Sequence, residues 1–159
     1  GEAAYADALR QRETLPLELR QRYRPHPFLR DEMAAALVAA DLLVGRAGSS
    51  TLAEAAALGL PMVIVPYPWA GGHQGVNAER LAAAGAALIV ADAEFDVAAI
   101  RRAAELLADE PALERMRVAA RSFGRPGAGA AIAELVLALA ERAPMPAPAV
   151  IERLSRGAA

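Results

Sequence analysis

Three short apolar runs alternate with segments of helical periodicity, and no other feature constrains the fold as tightly. They are Asp41-Leu42-Leu43-Val44-Gly45-Arg46, Pro61-Met62-Val63-Ile64-Val65-Pro66 and Ala86-Ala87-Leu88-Ile89-Val90. Each is too short for a stable helix, and Gly45, Pro61, Pro66 and Gly85 punctuate them. The middle run is apolar throughout, as in a strand covered by helices on both faces. Between the runs, residues 51–58 read as a helix stopped by Gly59, and residues 74–84 as a helix ended by Gly85. Strand–helix–strand–helix order with short links requires right-handed crossovers. The expectation is an α/β fold with a doubly wound, Rossmann-like parallel sheet. Ligands of such sheets sit outside the carboxyl ends of the strands, which directs attention to loops 28–31, 46–51 and 66–74.

The flanks read as follows. Residues 2–13 are expected to form an amphipathic helix through Ala3, Ala4, Ala6, Ala8 and Leu9, with a further turn at 17–19. Pro25 and Pro27 hold Arg24 and His26 extended, which predicts a short strand over 23–29. Asp31 is placed to cap a helix over 32–40. Helices are then expected near 96–108, 111–122 and 129–141, a linker at 144–148 and a short helix at 149–155. Residues 1–143 would form the α/β domain, and residues 144–159 a Pro-rich linker and tail.

Composition narrows the function. With 17 basic residues, all Arg, against 19 acidic ones, the net charge of −2 leaves no electrostatic footprint for nucleic acid. The absence of cysteine excludes disulfides, thiolate metal sites and a Cys nucleophile. Two histidines without an acidic cluster give no metal site. No apolar run reaches the ~18 residues of a membrane span, and residues 1–10 lack the pattern of a signal peptide. A soluble intracellular domain is expected.

Chemistry concentrates at two turns. In Arg46-Ala47-Gly48-Ser49-Ser50-Thr51 a strand runs into a helix, so the N–H groups of Ser49, Ser50 and Thr51 are the unpaired donors of a helix start. Together with the helix dipole they make a seat for a phosphate, although a plain Ser/Thr cap fits the same residues. Glu54 follows one turn later. Its carboxylate suits a vicinal diol such as that of a ribose, or alternatively the backbone of Ser50 or Thr51 in a capping box. In Gly71-Gly72-His73-Gln74-Gly75-Val76-Asn77-Ala78 the two glycines supply a flexible lead-in. Gln74 and Asn77 share a helix face at i, i+3, and amides both donate to and accept from sugar hydroxyls. His73 reads as a cap or an exposed ring. Tyr67, Trp69 and Met62 read either as a ligand-facing or membrane-facing cluster or, more simply, as core and loop packing. No G-x-S-x-G elbow surrounds Ser49 or Ser50.

The ordered series is more specific than any of its parts. Arg46-Ala47-Gly48-Ser49-Ser50-Thr51-Leu52-Ala53-Glu54 is followed by Gly59-Leu60-Pro61 with its apolar strand, then by His73-Gln74-x-x-Asn77-Ala78. Phe28-Leu29-x-x-Glu32-Met33 and Ala39-Ala40-Asp41 precede it. Over about residues 20–110 this series resembles the donor-binding half of the MurG family, the UDP-N-acetylglucosamine transferases of lipid II synthesis. These belong to the wider two-domain GT-B glycosyltransferases.

The resemblance implies that backbone groups of Leu29 read the uracil edge and that Ser49, Ser50 and Thr51 meet the diphosphate. It implies that Glu54 holds the ribose hydroxyls, that His73 and Gln74 contact the N-acetylglucosamine, and that Asn77 supports their loop. It implies an inverting transfer from UDP-GlcNAc to lipid I without metal or cofactor, by an enzyme in peripheral contact with the inner face of the plasma membrane. The catalytic base and acceptor site would come from another domain. The family's opening strand and Gly-Gly-Ser-Gln-Gly loop have no counterpart here, so the sheet should lack two strands and the chain alone should be inactive. A GT-B transferase with another acceptor, a split transferase and a non-catalytic nucleotide-sugar binder share these motifs. A 2-epimerase would need a Gly-Gly-x-Gln-Glu-Glu signature that is absent from 47–54.

Overall fold

The computed structural model describes residues 2–69 and 72–157. The chain divides into two units, 1–36 and 37–159.

In the first unit α1 (Glu2–Thr14) and α2 (Leu17–Arg22) bury no residue. The expected amphipathic face of α1 is therefore not realised, and polar contacts hold the pair instead. Arg12 Nε donates to the carbonyls of Arg20 and Tyr23 at 3.1 and 3.0 Å. The Arg20 guanidinium in turn donates to the Glu13 carboxylate at 2.9 Å and the Glu13 carbonyl at 2.7 Å. Residues 23–29 form no strand. Pro25 and Pro27 stand two apart, so both missing N–H groups fall on one edge, and a ladder there would lack its donors. The division falls within α3 (Met33–Ala39). Backbone bonds from Met33 to Arg30 and from Ala36 to Glu32 close its first turn. Among the described residues no side-chain bond from Asp31 caps it.

The second unit carries the parallel sheet, in the order β1 (Leu43–Gly45), β2 (Met62–Ile64), β3 (Ala87–Ile89). Leu43, Val44 and Gly45 pair with Met62, Val63 and Ile64, which pair with Ala87, Leu88 and Ile89. The expected α/β doubly wound arrangement is present. Among the described residues the sheet has three strands, with β1 bonded on one side alone. Alternation along β2 separates two cores. Met62 and Ile64 pack with Leu52, Ala55 and Ala56 of α4 (Ser49–Leu58) and with Ala78 and Leu81 of α5 (His73–Ala83). Val63 and Val65 face the other way, onto Ala99 and Ala103 of α6 (Val97–Ala108). One helix cannot span the whole of that face, and Val44 and Leu88 stay partly exposed on either side of Val63.

The remaining helices brace this framework. A single 3-10 turn covers Asp92–Glu94. Asp96 Oδ1 accepts from Ala99 N and Asp109 Oδ1 from Ala112 N, both at 3.0 Å, and these bonds start α6 and α7 (Glu110–Phe123). Asp96→Ala is expected to cost about 1 kcal/mol, read as a lower urea midpoint at unchanged slope. An unchanged midpoint would show the cap to be idle. Arg117 of α7 is held fully protonated, its pKa raised first by the hydrogen bond to Glu110, and it also meets Glu114.

The Pro-rich stretch 144–148 leads into α9 (Pro148–Ser155), which lies in the same unit as the sheet. It packs on α8 (Ala128–Ala140), with Gly127 N donating to Ser155 O at 2.9 Å. Residues 110–140 are long enough in total to cross a membrane and contain a window apolar enough to do so. Gly124 to Gly127 break them into helices of 14 and 13 residues. At about 1.5 Å per residue each is near 20 Å, short of the ~30 Å hydrocarbon layer.

Candidate functional site

The β1–α4 turn begins the helix two residues earlier than its periodicity suggests, at Ser49. This places Ser49, Ser50 and Thr51 in the first helical turn, with their N–H groups ahead of the first intrahelical bond, Leu52 N to Gly48 O at 3.0 Å. The N-cap is Gly48, and no side chain caps the helix. A Ser/Thr cap is therefore not what these residues provide. Gly48 has φ −67°, open to any residue, and a Cβ built on it meets nothing within 4 Å. Ser49, Ser50 and Thr51 are all exposed.

Glu54 lies one turn along the same helix and is exposed. Among the described residues its carboxylate bonds to neither Ser50 nor Thr51, so the capping box is not formed. A carboxylate standing free beside an open helix N-terminus can accept from a pair of neighbouring hydroxyls.

Gln74 joins this turn to the loop after β2. Its Oε1 accepts from Tyr67 N at 2.9 Å and from Ala47 N at 3.2 Å. Two facing N–H donors settle which end of the amide is oxygen, and Nε2 remains available as a donor. Asn77 Nδ2 donates to Ala47 O at 3.4 Å. The side chains expected to reach a sugar thus clamp both polar groups of Ala47, a fully buried residue at the end of β1. Helical spacing at i, i+3 brings both amides to one place, as expected, but their first use is backbone support.

The clamp gives a discriminating prediction. Gln74→Glu preserves an acceptor for both N–H groups and should leave the thermal midpoint within a degree or two. Gln74→Leu leaves them unpaired and should cost about 1–3 kcal/mol. Equal effects in thermal denaturation would refute the clamp.

His73 is exposed at the first position of α5, after Gly72 in the left-handed region at φ 80°. Gly71 lies outside the described residues. Leu29 belongs to the first unit, in irregular backbone, and is half-buried.

One residue here had no role assigned from the sequence. The Arg46 guanidinium pairs with Asp92, beyond β3, and donates to Val65 O, beyond β2, at 3.3 Å. It also stacks 5.3 Å from the centroid of the Tyr67 ring. From the end of β1, Arg46 thus binds together the exits of all three strands. A charged residue closing an otherwise apolar run was the available signal.

Two cavities frame the sheet. One of about 180 Å³ runs from Ser49 between α4 and α5, with Asn77 and Arg80 beside Leu52, Leu81 and Phe123. Another of about 210 Å³ lies at the opposite rim, beside Gly59 and Pro61. The first touches the candidate residues through Ser49 and Asn77. No cluster of three or more metal-ligating side chains occurs among the described residues.

Comparison with known proteins places the chain in a family. The chain is 41% identical over 123 residues to the UDP-N-acetylglucosamine–N-acetylmuramyl-(pentapeptide) pyrophosphoryl-undecaprenol N-acetylglucosamine transferase of Corynebacterium diphtheriae, covering 77% of this chain and 34% of that protein. The transferase of the same name from Moorella thermoacetica is 48% identical over 108 residues, 67% of this chain and 29% of that one. The chain therefore spans about a third of the length of these relatives. Among solved structures, MurG of Acinetobacter baumannii superposes with a TM-score of 0.64 at 31% identity, over 78% of this chain and 40% of that one. Residues 5–132 match the glycosyltransferase family 28 C-terminal domain, and the chain belongs to that family.

Proposed function

We propose that the chain is the donor-binding half of an inverting glycosyltransferase that moves N-acetylglucosamine from UDP-GlcNAc to lipid I, forming lipid II. The observation that carries this reading is the free Glu54 carboxylate one turn beyond three uncapped N–H groups on α4. In the proposed complex the donors of Ser49, Ser50 and Thr51 meet the diphosphate, where charge grows as UDP departs. Glu54 accepts from the ribose hydroxyls, and the backbone of Leu29 reads the uracil edge. His73 and the Nε2 of Gln74 face the N-acetylglucosamine, while Asn77 holds their loop through Ala47. The acceptor hydroxyl attacks the anomeric carbon in one displacement, and its proton goes to a base outside this chain. No metal is required, because backbone donors and the helix dipole offset the leaving-group charge. The names of the relatives, which specify both the sugar transferred and a lipid-linked acceptor, support the substrate pair. A lipid-borne acceptor places the working enzyme in peripheral contact with the cytoplasmic face of the plasma membrane.

Isothermal calorimetry with UDP, UDP-GlcNAc and ADP tests the reading. Binding of the two uridine ligands in preference to ADP is expected, with no transfer to lipid I by the chain alone. Equal affinity for ADP would sink the uridine assignment.

A further inference from the structure

We propose that Trp69 is a specificity-determining residue of the donor site, its indole forming a platform for the sugar ring of the nucleotide sugar. The inference rests on the donor-site reading above and names a contact which that reading does not contain. Trp69 is the single tryptophan of the chain, and it is 83% exposed. It stands on the loop between β2 and α5, four residues before His73 and five before Gln74.

That loop is anchored up to the residue in question. Pro66 and Pro68 restrict the backbone on either side of Tyr67. The Tyr67 N–H is held by Gln74 Oε1 at 2.9 Å, and its ring lies under the Arg46 guanidinium. A large flat apolar ring is thus presented to solvent from a segment whose preceding residues are fixed. The other groups assigned to the donor are polar: three backbone donors, a carboxylate, an imidazole and an amide. The C–H-bearing face of a pyranose, the one apolar face that a hexose presents, calls for a flat apolar surface beside them. An indole supplies that surface at low entropic cost, since it has two rotatable bonds.

Because the tryptophan is unique, its fluorescence reports on the contact directly. Titrating the 159-residue chain with UDP-GlcNAc should quench or blue-shift the emission, while saturating UDP, with binding confirmed by calorimetry, should leave it nearly unchanged. Trp69→Phe supplies the optical blank. Trp69→Ala should weaken UDP-GlcNAc about three- to tenfold and leave UDP unaltered. Its circular dichroism should match the parent, as expected for so exposed a side chain.

Equal responses to UDP and UDP-GlcNAc would overturn the platform, because the indole would then be sensing the nucleotide. Binding of UDP-GlcNAc without any change in emission, or at undiminished affinity in Trp69→Ala, would also overturn it, with the donor site left standing. Failure of both ligands to bind in calorimetry would remove the donor site itself and the platform with it.

Discussion

Glu54→Ala is expected to lower the affinity for UDP about a hundredfold, or about 2.7 kcal/mol, without loss of stability. The magnitude follows from two hydrogen bonds to a charged acceptor, each typically worth about 1.5–3 kcal/mol, part of which water recovers at an open site. Stability should be untouched, because the carboxylate is exposed and makes no bond among the described residues. Glu54→Gln keeps one acceptor oxygen but loses the charge, and an intermediate loss near tenfold is expected. The diol is tested by a cycle. Replacing UDP with 2′-deoxy-UDP should weaken binding to the parent and have little further effect on Glu54→Ala. Additive losses would place Glu54 away from the ribose.

Gly124→Ala is expected to destabilise the fold. The backbone at Gly124 has φ −59° and ψ 154°, which alanine adopts without strain, so the cost is purely steric. A Cβ there would lie 2.5 Å from Ala56 O, 2.7 Å from Ala56 C and 2.8 Å from Ala57 Cα. All three are backbone atoms in the last turns of α4, so no side chain can rotate aside. The end of α7 must move off α4, and a loss of about 2–3 kcal/mol is expected in urea denaturation. Gly129→Ala is the control. Nothing lies within 4 Å of its added Cβ, and a helical glycine replaced by alanine should stabilise by about 0.5–1 kcal/mol. Comparable midpoints for the two variants would show that α7 yields at no cost. Since α4 carries both the uncapped donors and Glu54, Gly124→Ala should also weaken UDP binding where Gly129→Ala does not.

Helix periodicity was legible to within a residue or two for α6, α7, α8 and α9, because their apolar residues and the Asp or Pro starts of α6, α7 and α9 are local signals. The boundaries that matter at the site were less legible. The run 51–58 showed its apolar residues but not that Ser49 and Ser50 already belong to the helix, since small polar residues suit a cap and a first turn equally well. The stretch 23–29 had the extended character that its prolines enforce. A strand also needs a neighbour with matching donors and acceptors, and local sequence says nothing of neighbours. The Ala pattern of 2–13 likewise suggested an apolar face, whereas guanidinium–carbonyl bonds between α1 and α2 hold that region together.

The sequence by itself determined the class of fold and the ordered motifs of the candidate site. Short apolar runs bounded by Gly and Pro admit little but a parallel sheet with helical crossovers, and the Gly48–Glu54 spacing lays donors and carboxylate on one helix. Only the tertiary structure decided which polar groups are free to meet a ligand. Gln74 and Asn77 lie 27 and 30 residues beyond the Ala47 backbone they grip, and Arg46 reaches Asp92 across 46 residues. Hydrogen-bond satisfaction is settled by what packing brings within about 3 Å, and separation along the chain carries no record of it.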